Sequence, residues 1–144
     1  MSGPTKANSG IFLGFDFGVK KIGVSTGQSI TRSASPLTTI LNHNDNINWH
    51  EITKTIQNWK PQACIVGLPL HADQSESITS QKAKDFGEEL SNRFTIPVYY
   101  VDEHLTTHSA NVLCKDPLYK KHSRDAIAAM LILDTWLKGN FHVK

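Results

Sequence analysis

The chain has 144 residues, 39% of them apolar, with 15 basic and 13 acidic side chains and a formal net charge of +2. That is enough apolar chain for one full hydrophobic core, and the balanced charge argues against disorder. A surplus of +2 admits nucleic acid as a partner only through a localised basic patch, and no apolar run is long enough to span a membrane.

Cys64 and Cys114 show neither CxxC nor CxxH spacing, which predicts a reduced compartment without zinc or a disulfide framework. The histidines are scattered, with no metal-site spacing. The opening MSGPTKANS lacks the hydrophobic region of a signal peptide. Together these features predict a soluble, cytoplasmic protein with a disordered tail over 1–9 and one domain over 10–144, since no repeat or linker divides the chain.

Residues 10–17 read as a first strand, and Gly18 and Lys20 as the turn that returns the chain through KKIGVSTG as a second. TRSASPLTTI is a more polar third strand, in which Pro36 signals an edge or a bulge. The period then changes. In DNINWHEITKTIQNW the residues Trp49, Ile52, Ile56 and Trp59 share one helical face, and Pro61 ends that helix. QACIVGLP is a strand buried on both faces, and HADQSES a polar loop.

A helix over about 77–93 follows, with Ile78, Phe86, Leu90 and Phe94 facing inward. IPVYYVDE is the fifth strand, TTHSANVLCK a short helix and KDPLYKKHS a basic loop. Ser123 reads as the N-cap of SRDAIAAMLILDTWLK. The fold class is therefore α/β: an antiparallel meander, then βαβ crossovers, giving a mixed five-stranded sheet with helices on both faces. Sites in such sheets lie beyond the carboxyl ends of the parallel strands.

Asp16 stands in the run IFLGFDF, where an unpaired carboxylate costs several kcal/mol. Asp102 and Glu103 end the fifth strand, and Asp125 precedes the apolar run AIAAMLIL. If these segments meet, they form an oxygen cage suited to Mg²⁺ or Mn²⁺ and to phosphodiester hydrolysis. Each acid also has a plainer role. Asp16 is placed to bond the turn at Gly18, Asp125 to complement a helix dipole, and Asp102 or Glu103 to cap the helix near Thr106. Adjacent strand residues point to opposite faces, so one of the 102/103 pair reaches the site, and periodicity does not choose between them. Lys20, Lys21, Lys120, Lys121 and Arg124 are candidate phosphate contacts, and Tyr119 a candidate for base stacking.

FLGFDFGVKKIGVS, IVGLPL, VYYVDEHLTT and RDAIAAMLIL resemble, in order and spacing, the blocks of the YqgF/RuvX family. Its members are named as pre-16S rRNA nucleases or Holliday junction resolvases. The resemblance spans about residues 11–137. It implies a ribonuclease H-like fold, metal ligands and catalytic residues at Asp16, Glu103 and Asp125, and divalent-metal-dependent cleavage of nucleic acid. The choice of Glu103 over Asp102 comes from the family pattern alone. The implied task is maturation of the 5′ end of precursor small-subunit ribosomal RNA, and a monomer is the favoured state because nothing in the sequence specifies a dimer interface. The alternative is resolution of four-way DNA, which needs a dimer cutting symmetrically.

Three departures from the family stand out. Lys20-Lys21 replaces Lys-Arg, exchanging a planar phosphate contact for a point charge. DEH replaces DER, so His104 is expected to contact phosphate only when protonated. Asp73-Gln74 replaces Asp-Gly after GLPL. Two other classes fit less well. The sugar-kinase and actin superfamily also opens with GxDxG, but clasps its nucleotide between two domains. Gly14, Gly18 and Gly23 do not fit the dinucleotide-binding GxGxxG.

Overall fold

A computed structural model describes residues 10–44, 46–68, 78–102 and 112–140. The strands β1 (Ile11–Asp16), β2 (Lys21–Gln28) and β3 (Ser33–Leu41) form the expected antiparallel meander. Helix α1 (Trp49–Trp59) leads to β4 (Ala63–Leu68), parallel to β1, and α2 (Ile78–Phe94) leads to β5 (Val98–Asp102), parallel to β4. The strand order is β3-β2-β1-β4-β5, and the last described helix is α3 (Arg124–Asn140).

The pleat sorts each strand onto two faces. Leu13 and Phe15 of β1 and Phe17 just beyond it join Cys64 and Val66 of β4 in one core with Ile52 and Ile56 of α1 and Ala83, Phe86 and Leu90 of α2. Phe12, Ala63 and Ile65 face the other way, onto Ile132, Leu133 and Leu137 of α3. Helices thus cover both faces, with the central strands β1 and β4 buried from each side. Burial pushes the Cys64 thiol far above the ordinary thiol range.

Both expectations for Pro36 hold. β3 is an edge strand, and the pairing slips between Val24 and Ser25, opposite Pro36. Trp49 and Trp59 are partly buried against the core, and Trp49 lies between the Phe86 ring (5.6 Å) and the Arg93 guanidinium (4.2 Å). α1 opens at Asn48, whose side chain accepts from the Glu51 N–H. It ends at Lys60 in the left-handed conformation, one residue before Pro61.

Ile78, expected to face inward, is 78% exposed. At about 100° per residue it falls roughly 125° around the helix from the centre of the inward stripe of Ala83, Phe86, Leu90 and Phe94. The basic loop is more ordered than its composition predicts. It contains a 3-10 turn, Pro117–Tyr119, in which the Asp116 side chain accepts from the Leu118 N–H. The 1–9 tail, Asp73-Gln74 and most of the short helix in TTHSANVLCK lie outside the described residues.

Candidate active site

Asp16 is the last residue of β1, and by the alternation of Phe12 and Gly14 it faces α3. Its partner across the antiparallel ladder is Gly23, at a Cα separation of about 4.5–5.5 Å. A Cβ on Gly23 would collide with the backbone carbonyl of Asp125 and stand 3.0 Å from the Ala126 nitrogen. Only a residue without a side chain lets the first turn of α3 come so close. The main chain of Asp125 thus lies against the ladder partner of Asp16.

The same contact repeats down the helix. A Cβ on Gly14 would meet Leu133 Cβ at 2.8 Å and the Ala129 carbonyl at 2.9 Å, and Ser25 Oγ donates to that carbonyl at 2.7 Å. The start of α3 is fixed as well. Ser123 is its cap, accepting from the Ala126 N–H at 3.1 Å, and its hydroxyl contacts that of Thr39 on β3. Asp125 then sits in the first turn, where the helix dipole favours an anion.

Asp102 lies on the opposite face. In β5, Tyr99 stacks on Trp136 of α3, whereas Tyr100 packs over Gly87 of α2 and donates to the Lys84 carbonyl. Asp102 follows Tyr100 in that alternation, and its ladder partner Leu68 packs against the α1/α2 core. Of the two acids ending β5, Asp102 is thus turned away from Asp16 and Asp125. Glu103 and His104 lie outside the described residues.

Lys21 Nζ is 3.5 Å from Asp125 Oδ2, with side-chain exposures of 55% and 18%. Lys20 occupies an exposed turn held by Asn42. The Asn42 backbone N–H donates to the Lys20 carbonyl, and its amide donates to those of Gly18 (3.3 Å) and Val19 (2.9 Å). Lys120 and Lys121 are exposed, and exposed Arg124 opens α3. Tyr119 is not a free stacking platform. At the end of the Pro117–Tyr119 turn, it is half-buried against Ile127 and Met130 of α3.

Among the described residues, no group of three or more His, Cys, Asp or Glu is arranged to hold a metal. Asp16 and Asp125 are hard oxygen donors at one rim, a chemistry that fits Mg²⁺ or Mn²⁺ rather than a soft metal. A cleft of about 190 Å³ lined by Phe17, Val19, Ile47, Lys82, Asp85, Phe86 and Glu89 opens on the reverse face, away from both. Asn42, Gly23 and Ser25 are positioning residues that motif reading passes over. The alternation Gly23-Val24-Ser25-Thr26-Gly27 does carry a signal, a strand with small side chains along one face.

Comparison with known proteins agrees with this architecture. The RuvX family model, described as Holliday junction resolvase, matches residues 10–139. A protein of Legionella pneumophila (strain Paris), named "Putative pre-16S rRNA nuclease", is 47% identical over 133 residues, covering 90% of this chain and 96% of its own. A protein of Nitrosococcus oceani with the same name is 41% identical over 140 residues, covering 95% and 92%. Among solved structures, T. thermophilus RuvC in complex with Holliday junction substrate aligns with a TM-score of 0.58 at 14% identity, covering 91% of this chain and 95% of that one. That likeness fixes the fold as ribonuclease H-like. With the family blocks running from β1 to α3 and the match covering nearly the whole chain, the protein belongs to the RuvX family.

Proposed function

We propose that this protein is a nuclease that hydrolyses phosphodiester bonds of precursor 16S ribosomal RNA at its 5′ end, with Asp16, Glu103 and Asp125 as its acidic centre. The observation that carries the reading is the close seat of α3 on Gly23, which brings Asp125 beside the ladder partner of Asp16. The alternation of β5 supports Glu103 as the third acid, since Asp102 faces the other way. The names of the close relatives support RNA as the substrate.

The three carboxylates would hold Mg²⁺ or Mn²⁺, which when bound neutralises charge at the scissile phosphate and activates water. In the overall reaction, a water oxygen joins phosphorus, the bond to the leaving oxygen breaks, and water's protons pass to that oxygen and to solvent. The chain's own cations grip the strand. Lys20, on the turn braced by Asn42, and Lys120, Lys121 and Arg124 around the start of α3 contact phosphates. Lys21 covers Asp125, and its flexible stem lets it turn to a phosphate once a metal takes its place. His104 adds a phosphate contact when protonated.

We assign the protein to the cytoplasm as a monomer. No described helix is long and apolar enough to cross a membrane. The family description favours a second reading, in which two copies cut four-way DNA with the same acids. The deciding experiment incubates the protein with precursor 16S RNA, a four-way DNA junction and ATP, each with and without Mg²⁺, beside an Asp16→Asn control. Mg²⁺-dependent cleavage of the RNA alone, absent in the control, is the expected result. Junction cleavage by a dimer would transfer the assignment to the second reading. ATP turnover without cleavage would refute both.

A further inference from the structure

An exposed leucine by itself means little, but Leu118 stands in a distinctive setting. It is 76% exposed in the middle of the Pro117–Tyr119 turn. The turn is braced on both sides. Leu118 N–H donates to the Asp116 carboxylate at 2.9 Å, Tyr119 N–H to the Asp116 carbonyl at 2.9 Å, and His122 N–H to the Tyr119 carbonyl at 3.0 Å. Tyr119 packs onto Ile127 and Met130 of α3. Leu118 is therefore held outward from a base packed on Ile127 and Met130, within the first two turns of the helix that carries Asp125.

Its surroundings are cationic. Lys115, Lys120 and Lys121 are exposed on the same segment, and the one acid there, Asp116, is engaged in the turn. A second exposed leucine, Leu41 (67%), pairs with Lys21 at the same rim. Two residues before it, Thr39 contacts the Ser123 cap of α3. Apolar and positive groups thus interleave around the start of α3. By contrast Ile30, 89% exposed, lies in the β2–β3 turn at the opposite end of the sheet.

Lysines call for phosphates. Leucines need an apolar face, which the outside of an RNA duplex withholds, since it displays phosphates and 2′-hydroxyls with its bases stacked inside. A strand with an unstacked base satisfies both, and leucine is among the side chains that wedge against opened base steps. We propose that Leu118 covers the face of an unstacked base next to the phosphate held at the start of α3, so that the substrate is a locally single-stranded nucleic acid. This inference rests on the nuclease reading above.

The test uses the full chain and precursor RNA fragments carrying 2-aminopurine at successive positions around the cleavage site. Binding is followed with a chelator present and cleavage with Mg²⁺. Fluorescence at one position is expected to rise several-fold on binding. Leu118→Ala abolishes that rise and weakens binding about tenfold while leaving the salt dependence unchanged. Leu118→Phe restores the rise, and Ile30→Ala behaves as the native protein. Native fluorescence and affinity in Leu118→Ala, with Mg²⁺-dependent cleavage intact, would overturn the inference and leave the nuclease reading standing. A Leu118-dependent rise without any cleavage would support the base contact and remove the nuclease reading. Failure to bind RNA at all would remove both.

Discussion

Gly23→Ala is the smallest change that tests the site's construction. The added methyl would lie well inside 3.0 Å of the Asp125 carbonyl, and the obstructing atoms are main chain, so no rotamer change relieves them. β2 is held between β1 and β3, which leaves the first turn of α3 as the part that yields. Overpacking of this kind costs about 1–3 kcal/mol, and the rigid contact puts the gross cost near ~3. Removing a glycine from a strand returns about 0.5–1 kcal/mol, for a net loss of ~2 kcal/mol. In a domain of this size that lowers Tm by roughly 5–10 °C. A displacement of about 1 Å at a catalytic group costs ~100-fold in rate, so RNA cleavage should fall about that far at a temperature where the variant is still folded. Calorimetry and a single-turnover cleavage assay read the two effects separately. Gly14→Ala serves as comparison. It crowds Ala129 and Leu133 further along α3 and should lower Tm comparably with a smaller loss of rate. A Gly23→Ala protein with native Tm and native cleavage would refute the reasoning.

Mg²⁺ near one hundred times its dissociation constant stabilises a protein that binds it only when folded by about 2.7 kcal/mol. The native Tm should therefore rise by several degrees with Mg²⁺, whereas Asp16→Asn should not respond; equal rises would count against the acidic site. A His104 phosphate contact that needs the proton should weaken as pH rises from 5.5 to 8. His104→Arg should flatten that part of the activity profile, and matching profiles would dismiss the contact. Asn42→Ala removes the brace under Lys20 and should cost about 1–2 kcal/mol in denaturant titration, with weaker RNA binding at low salt; the brace is unimportant if both stay unchanged. Lys120→Ala and Lys121→Ala should each reduce the log–log salt slope of RNA binding by roughly one, and an unaltered slope would return that lysine to a plain surface role.

Strand and helix order was legible because a short, unbroken apolar run such as QACIVGLP contrasts with the 3.6-residue period of NWHEITKTIQNW. Asp16 and Asp125 were legible as acids in apolar segments. Their approach was harder to read, since it depends on what Gly23 lacks, and an absent side chain leaves no trace in a hydrophobic pattern. That Asp102 turns away from α3 depends on which face of β5 meets that helix, which is set by Tyr99 on Trp136 and Tyr100 on Gly87. Ile78 was misread because an apolar residue at a helix start resembles a core position until the stripe's angle is followed. Tyr119 was misread because no local pattern tells an anchored tyrosine from a displayed one.

The hydrogen bond from Ser25 to Ala129 joins residues 104 positions apart, and the seat of Asp125 on Gly23 has a similar reach. Local contacts form early and distant ones late. Asp125 therefore reaches the strand pair that carries Asp16 only when the last described helix closes onto it. For a nuclease, this ties the onset of activity to the completion of its own folding.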